Sequence, residues 1–231
     1  MITSDKYCFP SYLSGNVERF NNPIKYWAII AGSTVYTMGT TWSQVEKYRE
    51  LAYVSGFISL AIVLKFFEIP FPLASFLKYD FSGVPLAVLG FKSIKWGVTA
   101  LPVYYIVSVI AGSDPIGMAM KTLAEASTFI PLVLTYKHLA GRLGFKTAYS
   151  LSGVIAIASR TIVMTLANLA VTPFWLMITY PKYYPTYYAA YDFTVKYMPE
   201  IAVFNISISL IIVLAALPVY RVLARTGVIN E

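Results

Sequence analysis

From about residue 50 to residue 222, apolar runs follow one another with no intervening polar block long enough to fold by itself. A chain patterned this way has too little polar surface to coat a water-soluble globule. Of its 231 residues, 58% are apolar and only 13% are charged, where soluble domains carry about 25% charged residues. Mean hydropathy is +0.63. These features describe an integral membrane protein, with one membrane domain at 49–231 and an N-terminal extension at 1–48.

A helix rising about 1.5 Å per residue needs about 20 residues to cross the hydrocarbon layer. Cutting the apolar runs at charges, prolines and glycines predicts helices near 51–68, 82–92, 95–111, 116–136, 148–178 and 200–222. The second is short, and either tilts or joins the third closely. Pro173 is placed to kink the end of the fifth.

Charge tests that division, because cytoplasmic loops collect Lys and Arg. Six crossings put Lys47, Arg49, Lys92, Lys95, Lys137, Arg142, Lys146, Arg221 and Arg225 on one side. Lys78, Lys182 and Lys196 fall on the other, accompanied by Asp80, Asp114 and Asp192. The expected fold is therefore an all-α bundle of six transmembrane helices in the cell membrane, with a cytoplasmic C-terminus. Residues 24–42, rich in Ser, Thr and Gly, are either a seventh span or an interfacial helix with Tyr26, Trp27 and Trp42 at the headgroups. Residues 1–23 read as a polar extension, and MITSDKYCFPSYLSG lacks the basic-then-apolar pattern of a cleavable signal peptide.

A net charge of +7 does not indicate nucleic acid here, because the cations lie mainly between apolar segments rather than on one continuous face. One cysteine, Cys8, excludes an internal disulfide, and with the single His138, read as a solvated loop residue, it leaves too few ligands for zinc or for paired haem imidazoles. No phosphate-binding loop, H-E-x-x-H or G-x-S-x-G occurs. The chain is read as a non-enzyme without cofactor, and any ATP it depends on is handled by another chain.

Ionisable groups inside a span cost several kcal/mol unless paired or facing a cavity, so they are the default functional candidates. Lys121 and Glu125 lie four apart on one helix face, where they can neutralise each other or bind polar ligand groups. Arg160 and Asn168 share nearly one face of the fifth helix, with Met164 between them. Arg160 pairs with Glu125, meets helix carbonyls or faces ligand; Asn168 makes an interhelical hydrogen bond or contacts a ligand amide or carbonyl. Pro199 and Glu200 suit the first turn of the last helix, and Glu200 also lies near the outer mouth. Residues 180–198, with seven tyrosines and two prolines, are read as the longest connection, an aromatic belt or a lid over a flat ligand. Ser55-x-x-x-Ser59 and Gly153-x-x-Ala156 permit close helix approach.

Three segments in order carry a resemblance: IPFPLASFLKYDFSGVPLAVLGF at 69–91, ASRTIVMTLANLAVTPFWL at 158–176 and MPEIAVFN at 198–205. Together they resemble the substrate-binding S components of energy-coupling factor (ECF) vitamin transporters, most closely the riboflavin type. Lys78, Asp80, Phe81, Ser82 and Pro85 match the family's Lys-x-Asp-Phe-Ser-x-x-Pro at the second helix, and Arg160, Met164, Asn168 and Pro173 match its fifth-helix pattern. The resemblance spans residues 50–225 and implies a vitamin captured from outside, between helices four to six and beneath the 69–80 loop. It implies ligand contacts from Asn168, with Lys78, Asp80, Glu125 and Glu200 as further binding candidates and Lys121 and Arg160 as intramembrane polar groups. Implied partners are membrane lipid, a coupling transmembrane subunit and ATPase subunits, with riboflavin or a related vitamin as ligand rather than cofactor.

The chain departs from that pattern in its last helix, where Pro199-Glu200-Ile201 replaces Pro-Phe-Asn, and in Glu125, where the family favours small apolar residues. Such departures also fit a non-transporting accessory subunit of a larger membrane complex. Locally, Asp80 and Ser82 are placed to cap the second helix, Pro85 sits in its first turn, and Lys78 is expected to pair with Asp80 in water.

Overall fold

The computed structural model describes residues 42–226, with side chains from Lys47 onward. The expectations for 1–23 and for a span or interfacial helix at 24–42 fall outside the described residues, apart from the backbone of Trp42. Seven helices and one hairpin follow in order: α1 (Trp42–Lys65), β1 (Ile69–Phe71), β2 (Ala74–Tyr79), α2 (Gly83–Lys92), α3 (Ile94–Ile110), α4 (Pro115–Leu143), α5 (Phe145–Thr179), α6 (Tyr187–Lys196) and α7 (Met198–Arg225). Each of the six expected helices is present. Among the described residues, α5 and α7 are long and apolar enough to cross a membrane, while α2 and α3 are shorter apolar helices.

Three expectations are corrected here. The bundle is mostly helical rather than all-α, because residues 69–79 form an antiparallel hairpin with Ile69 opposite Tyr79 and Pro70 opposite Lys78. Pro70 and Pro72 deny helical hydrogen bonding at this point, so the chain pairs with itself instead. Within 180–198 a helix, α6, replaces much of the expected connection. Thr186 caps it by accepting from the Ala189 amide (3.4 Å), and Ala190 and Thr194, one turn apart, are its buried face. His138, too, is helical, within α4, although it is exposed.

Special backbone marks the joints. Gly112, φ +95°, ends the turn between α3 and α4, and Gly144, φ +70°, is the one residue between α4 and α5. Both occupy the left-handed region that side chains disfavour. Only Ser93, in extended conformation, separates α2 from α3. Their close packing needs glycine: a Cβ on Gly97 would stand 2.8 Å from the Gly90 Cα and 3.0 Å from the Phe129 ring.

The core runs through Leu86, Leu89, Phe91, Tyr104, Phe129, Leu132, Ile208 and Ile212, all nearly inaccessible. Large apolar side chains also cover the outside, among them Val103, Ile106, Val154, Ile162, Leu166, Leu210 and Leu214. Helices apolar on both faces are suited to lipid rather than water. Gly153 and Ala156 serve this interior: Ala156 is buried, and a Cβ on Gly153 would meet Val213 of α7 at 2.8 Å. Ser55 and Ser59 of α1 are exposed.

Candidate functional site

A cavity of about 590 Å³ lies where α1 ends, α4 begins, α5 ends and α7 begins. The hairpin contributes Phe76, Leu77 and Lys78 to its wall. Apolar lining comes from Met118, Met120, Met164, Val171, Trp175 and Phe204, and polar lining from Lys65, Lys121, Arg160, Asn168, Thr172 and Asn205. Apolar walls with a few convergent polar groups are the usual make-up of a small-molecule site.

Aromatic contacts hold the hairpin onto the bundle. Tyr79 stacks on Phe204 with centroids 5.1 Å apart, and Phe71 meets both rings edge-on at 5.5 Å. The Tyr79 hydroxyl is 2.6 Å from Ser207 Oγ. Phe76 packs edge-on against Tyr197 at the end of α6, centroids 5.5 Å apart. At the hairpin's open end Lys78 pairs with Glu68 across the strands at 2.6 Å, largely in solvent.

Behind the cavity lie two charge clusters. Asp80, 3% exposed, is ion-paired with Lys121 of α4. Its Oδ1 accepts from the Ser82 amide (2.8 Å) and the Ser82 hydroxyl (2.5 Å), and the buried Tyr104 hydroxyl donates to Ser82 Oγ (2.8 Å). In the second cluster Arg160 Nη1 donates to Thr128 Oγ1 (3.1 Å) and lies 3.4 Å from Glu125 Oε1, while its Nε donates to Asn205 Oδ1 (3.2 Å). Glu125 also abuts α2, since a Cβ on Gly83 would overlap its Oε2. Gly83 is the first residue of that helix, so the carboxylate faces the positive end of its dipole.

This geometry revises three local expectations. Lys78 does not pair with Asp80; Glu68 takes Lys78, and Asp80 is buried instead of lying in water. Lys121 and Glu125 do not neutralise each other, because each meets an opposite charge from another segment, Asp80 and Arg160 respectively. Ser82 makes no side-chain cap on α2; its hydroxyl is committed to Asp80, which itself accepts the Ser82 amide. The pairing of Arg160 with Glu125 is present.

Of the residues singled out as binding candidates, Lys78 and Asn168 line the cavity, whereas Asp80, Glu125 and Glu200 do not. Asp80 and Glu125 sit behind the wall and hold Lys121 and Arg160, which do line it. Asn168 bonds within α5: its Nδ2 donates to the Met164 carbonyl (2.7 Å) and its Oδ1 accepts from Thr172 (2.9 Å). Glu200 is half-buried in the first turn of α7. Sequence reasoning missed Asn205, Tyr104, Trp175 and Lys65. Asn205 carried a usable signal, an amide inside an apolar span; Tyr104 did not, because a tyrosine in such a helix reads as packing.

No protein-family model matches the chain. In sequence it is similar to the riboflavin transporter FmnP of Bacillus subtilis, with 30% identity over 128 residues, 53% of this chain. That match spans 65% of the transporter's length, just under two thirds. In structure it is similar to the S component of a bacterial ECF transporter, with a TM-score of 0.59 and 24% identity, over 78% of this chain and 98% of that one. Both relatives are transport proteins, not enzymes. The resemblance carried by the 69–91, 158–176 and 198–205 segments is therefore borne out: this chain has the S-component fold and is similar in sequence to a riboflavin transporter.

Proposed function

We propose that this protein is a membrane substrate-capture subunit of an ECF transporter, which binds riboflavin or a similar flat vitamin from outside and delivers it through partner subunits. The observation that carries this reading is the hairpin-walled cavity, set within an S-component fold. Its size and mixed lining suit an aromatic ring system with polar substituents. Phe76, Trp175 and Phe204 offer ring faces and edges for stacking, the Met side chains adapt to ligand shape, and Asn168, Thr172 and Asn205 offer hydrogen bonds.

In this reading Asn168 and Lys78 contact ligand directly. Asp80 and Glu125 act through Lys121 and Arg160, and Glu200 acts at the mouth through the start of α7. Residues 49–231 form one membrane domain of six crossings, preceded by the extension at 1–48, with the C-terminus in the cytoplasm. α2 and α3, nearly continuous, supply the short crossings. A coupling transmembrane subunit and ATPase subunits drive uptake, since this chain's sequence carries no phosphate-binding loop.

The test is direct. The full chain, purified in mild detergent, is titrated with riboflavin while tryptophan fluorescence is followed, and its small-molecule content is read by mass spectrometry. Saturable quenching that is lost in Trp175→Phe, together with a co-purifying flavin, is expected. No quenching and no bound flavin would sink the riboflavin reading.

A further inference from the structure

The cavity cations differ in how their charge is met. Lys78 is matched by Glu68, Lys121 by Asp80 and Arg160 by Glu125. Lys65, the last residue of α1, also lines the cavity, and only 8% of it is exposed. Among the described residues it has no carboxylate within salt-bridge distance. Its Nζ donates to Ser113 Oγ and lies 5.0 Å from the Phe66 ring centroid. The nearest acidic residue in sequence, Glu68, is taken by Lys78 at 2.6 Å, and Asp114, beside Ser113, is exposed and accepts from the Gly117 amide (2.5 Å) and the Trp175 indole (3.1 Å).

A buried ammonium without a counter-charge is unfavourable. The carbonyl end of α1 and the Phe66 face offset part of this, but neither carries a formal negative charge. The remaining deficit faces the cavity. From this we infer that Lys65 and Ser113 form an anion subsite, where a carboxylate or phosphate group of the cavity's occupant sits. The ammonium has donors left beyond the one used on Ser113, and the Ser113 hydroxyl, accepting from Lys65, is free to turn its proton toward the anion. The inference deepens the proposed capture function and rests on it for the ring-binding part of the cavity only. It gives the site a polarity, with an apolar wall of Met164, Trp175 and Phe204 for a ring and a cationic corner at Lys65 for an acidic substituent.

The experiment compares riboflavin with its phosphate monoester on the full chain in detergent, by tryptophan quenching. Wild type should bind the phosphate ester about tenfold more tightly than the neutral flavin, the factor that one charge-assisted hydrogen bond supplies. Lys65→Gln should abolish that preference, Lys65→Arg should keep it, and Lys182→Gln, in the loop after α5, should leave it unchanged. Equal affinities in wild type, or a preference that survives in Lys65→Gln, would overturn the subsite while leaving the flavin reading intact. If neither flavin binds, the flavin reading fails and a second arm decides the subsite. Inorganic phosphate and succinate are added separately, and thermal unfolding is followed. Stabilisation of wild type and Lys65→Arg but not Lys65→Gln by either anion supports the inference, and which anion acts separates phosphate from carboxylate. No stabilisation by either, or equal stabilisation of Lys65→Gln, overturns it.

Discussion

Asp80 shows how one side chain can join the hairpin to the bundle. It follows β2 directly, and it receives a cation from α4, the amide and hydroxyl of Ser82 and, through Ser82, the Tyr104 hydroxyl of α3. A carboxylate held by several donors has its lone pairs satisfied in a place where water does not reach. Removing one member leaves the other charge buried and unmatched, which destabilises by about 3–5 kcal/mol. Asp80→Asn and Lys121→Met should each lower the unfolding midpoint in detergent, with losses near that range. The double variant should lose much less than the sum of the two, because it leaves no orphan charge. Additive losses would show that the two side chains act separately. Arg160 repeats the design one turn further along the same face of α4, with Glu125, Thr128 and Asn205 as its partners.

Among the elements, α2 carries the tightest steric demand. Its residues Leu86–Leu89 are wholly buried, and its glycines let neighbours approach closely: Gly83 makes room for Glu125 and Gly90 for the Phe129 ring, both of α4. Gly97→Ala would drive a Cβ to 2.8 Å from the Gly90 backbone, which cannot swing aside as a side chain can. Destabilisation of about 1–3 kcal/mol is expected. Gly56, within α1, has nothing within 4 Å of an added Cβ, so Gly56→Ala should be neutral or gain up to about 1 kcal/mol from helix propensity. Thermal unfolding of the two variants side by side measures the difference, and a destabilised Gly56→Ala would mean that α1 packs more tightly than its exposed face indicates. The helices themselves were legible because apolar runs, prolines and glycines act locally. α6 was read as a connection, since its tyrosines drew attention from the Thr186 cap and from the Ala190 and Thr194 spacing that makes its buried face. The hairpin was read as a loop, since strands of three and six residues carry too little alternation to be distinguished from one.

Across the described residues, buried polar groups lie inside the bundle and apolar side chains cover much of its outer surface. That inversion of the soluble pattern fits a lipid surround, and the basic residues at 137–146 and 221–225 then belong on the opposite side from the cavity. The orientation is measurable. In a Cys8→Ser background, Lys182→Cys should react with a membrane-impermeant maleimide in intact cells, while Arg142→Cys and Arg225→Cys should react only after permeabilisation. The reverse pattern would turn the cavity toward the cytoplasm and exclude capture from outside.

The sequence by itself determined the membrane character, the positions of the principal helices, and the motifs shared with S components, because hydropathy, proline placement and short motifs are properties of neighbouring residues. It also identified Lys121, Glu125, Arg160 and Asn168 as the polar groups of interest inside the bundle. Only the tertiary structure decided who pairs with whom. Lys121 and Glu125 stand one helical turn apart, yet each turns to a partner from another segment, Asp80 after the hairpin and Arg160 on α5. In the same way Lys78 pairs with Glu68 across the strands, while Lys65 meets the cavity with no carboxylate within salt-bridge distance among the described residues. Such choices depend on which faces of distant segments meet in a dry interior, where each charge takes the opposite charge that packing brings to it, and sequence spacing carries no record of those meetings.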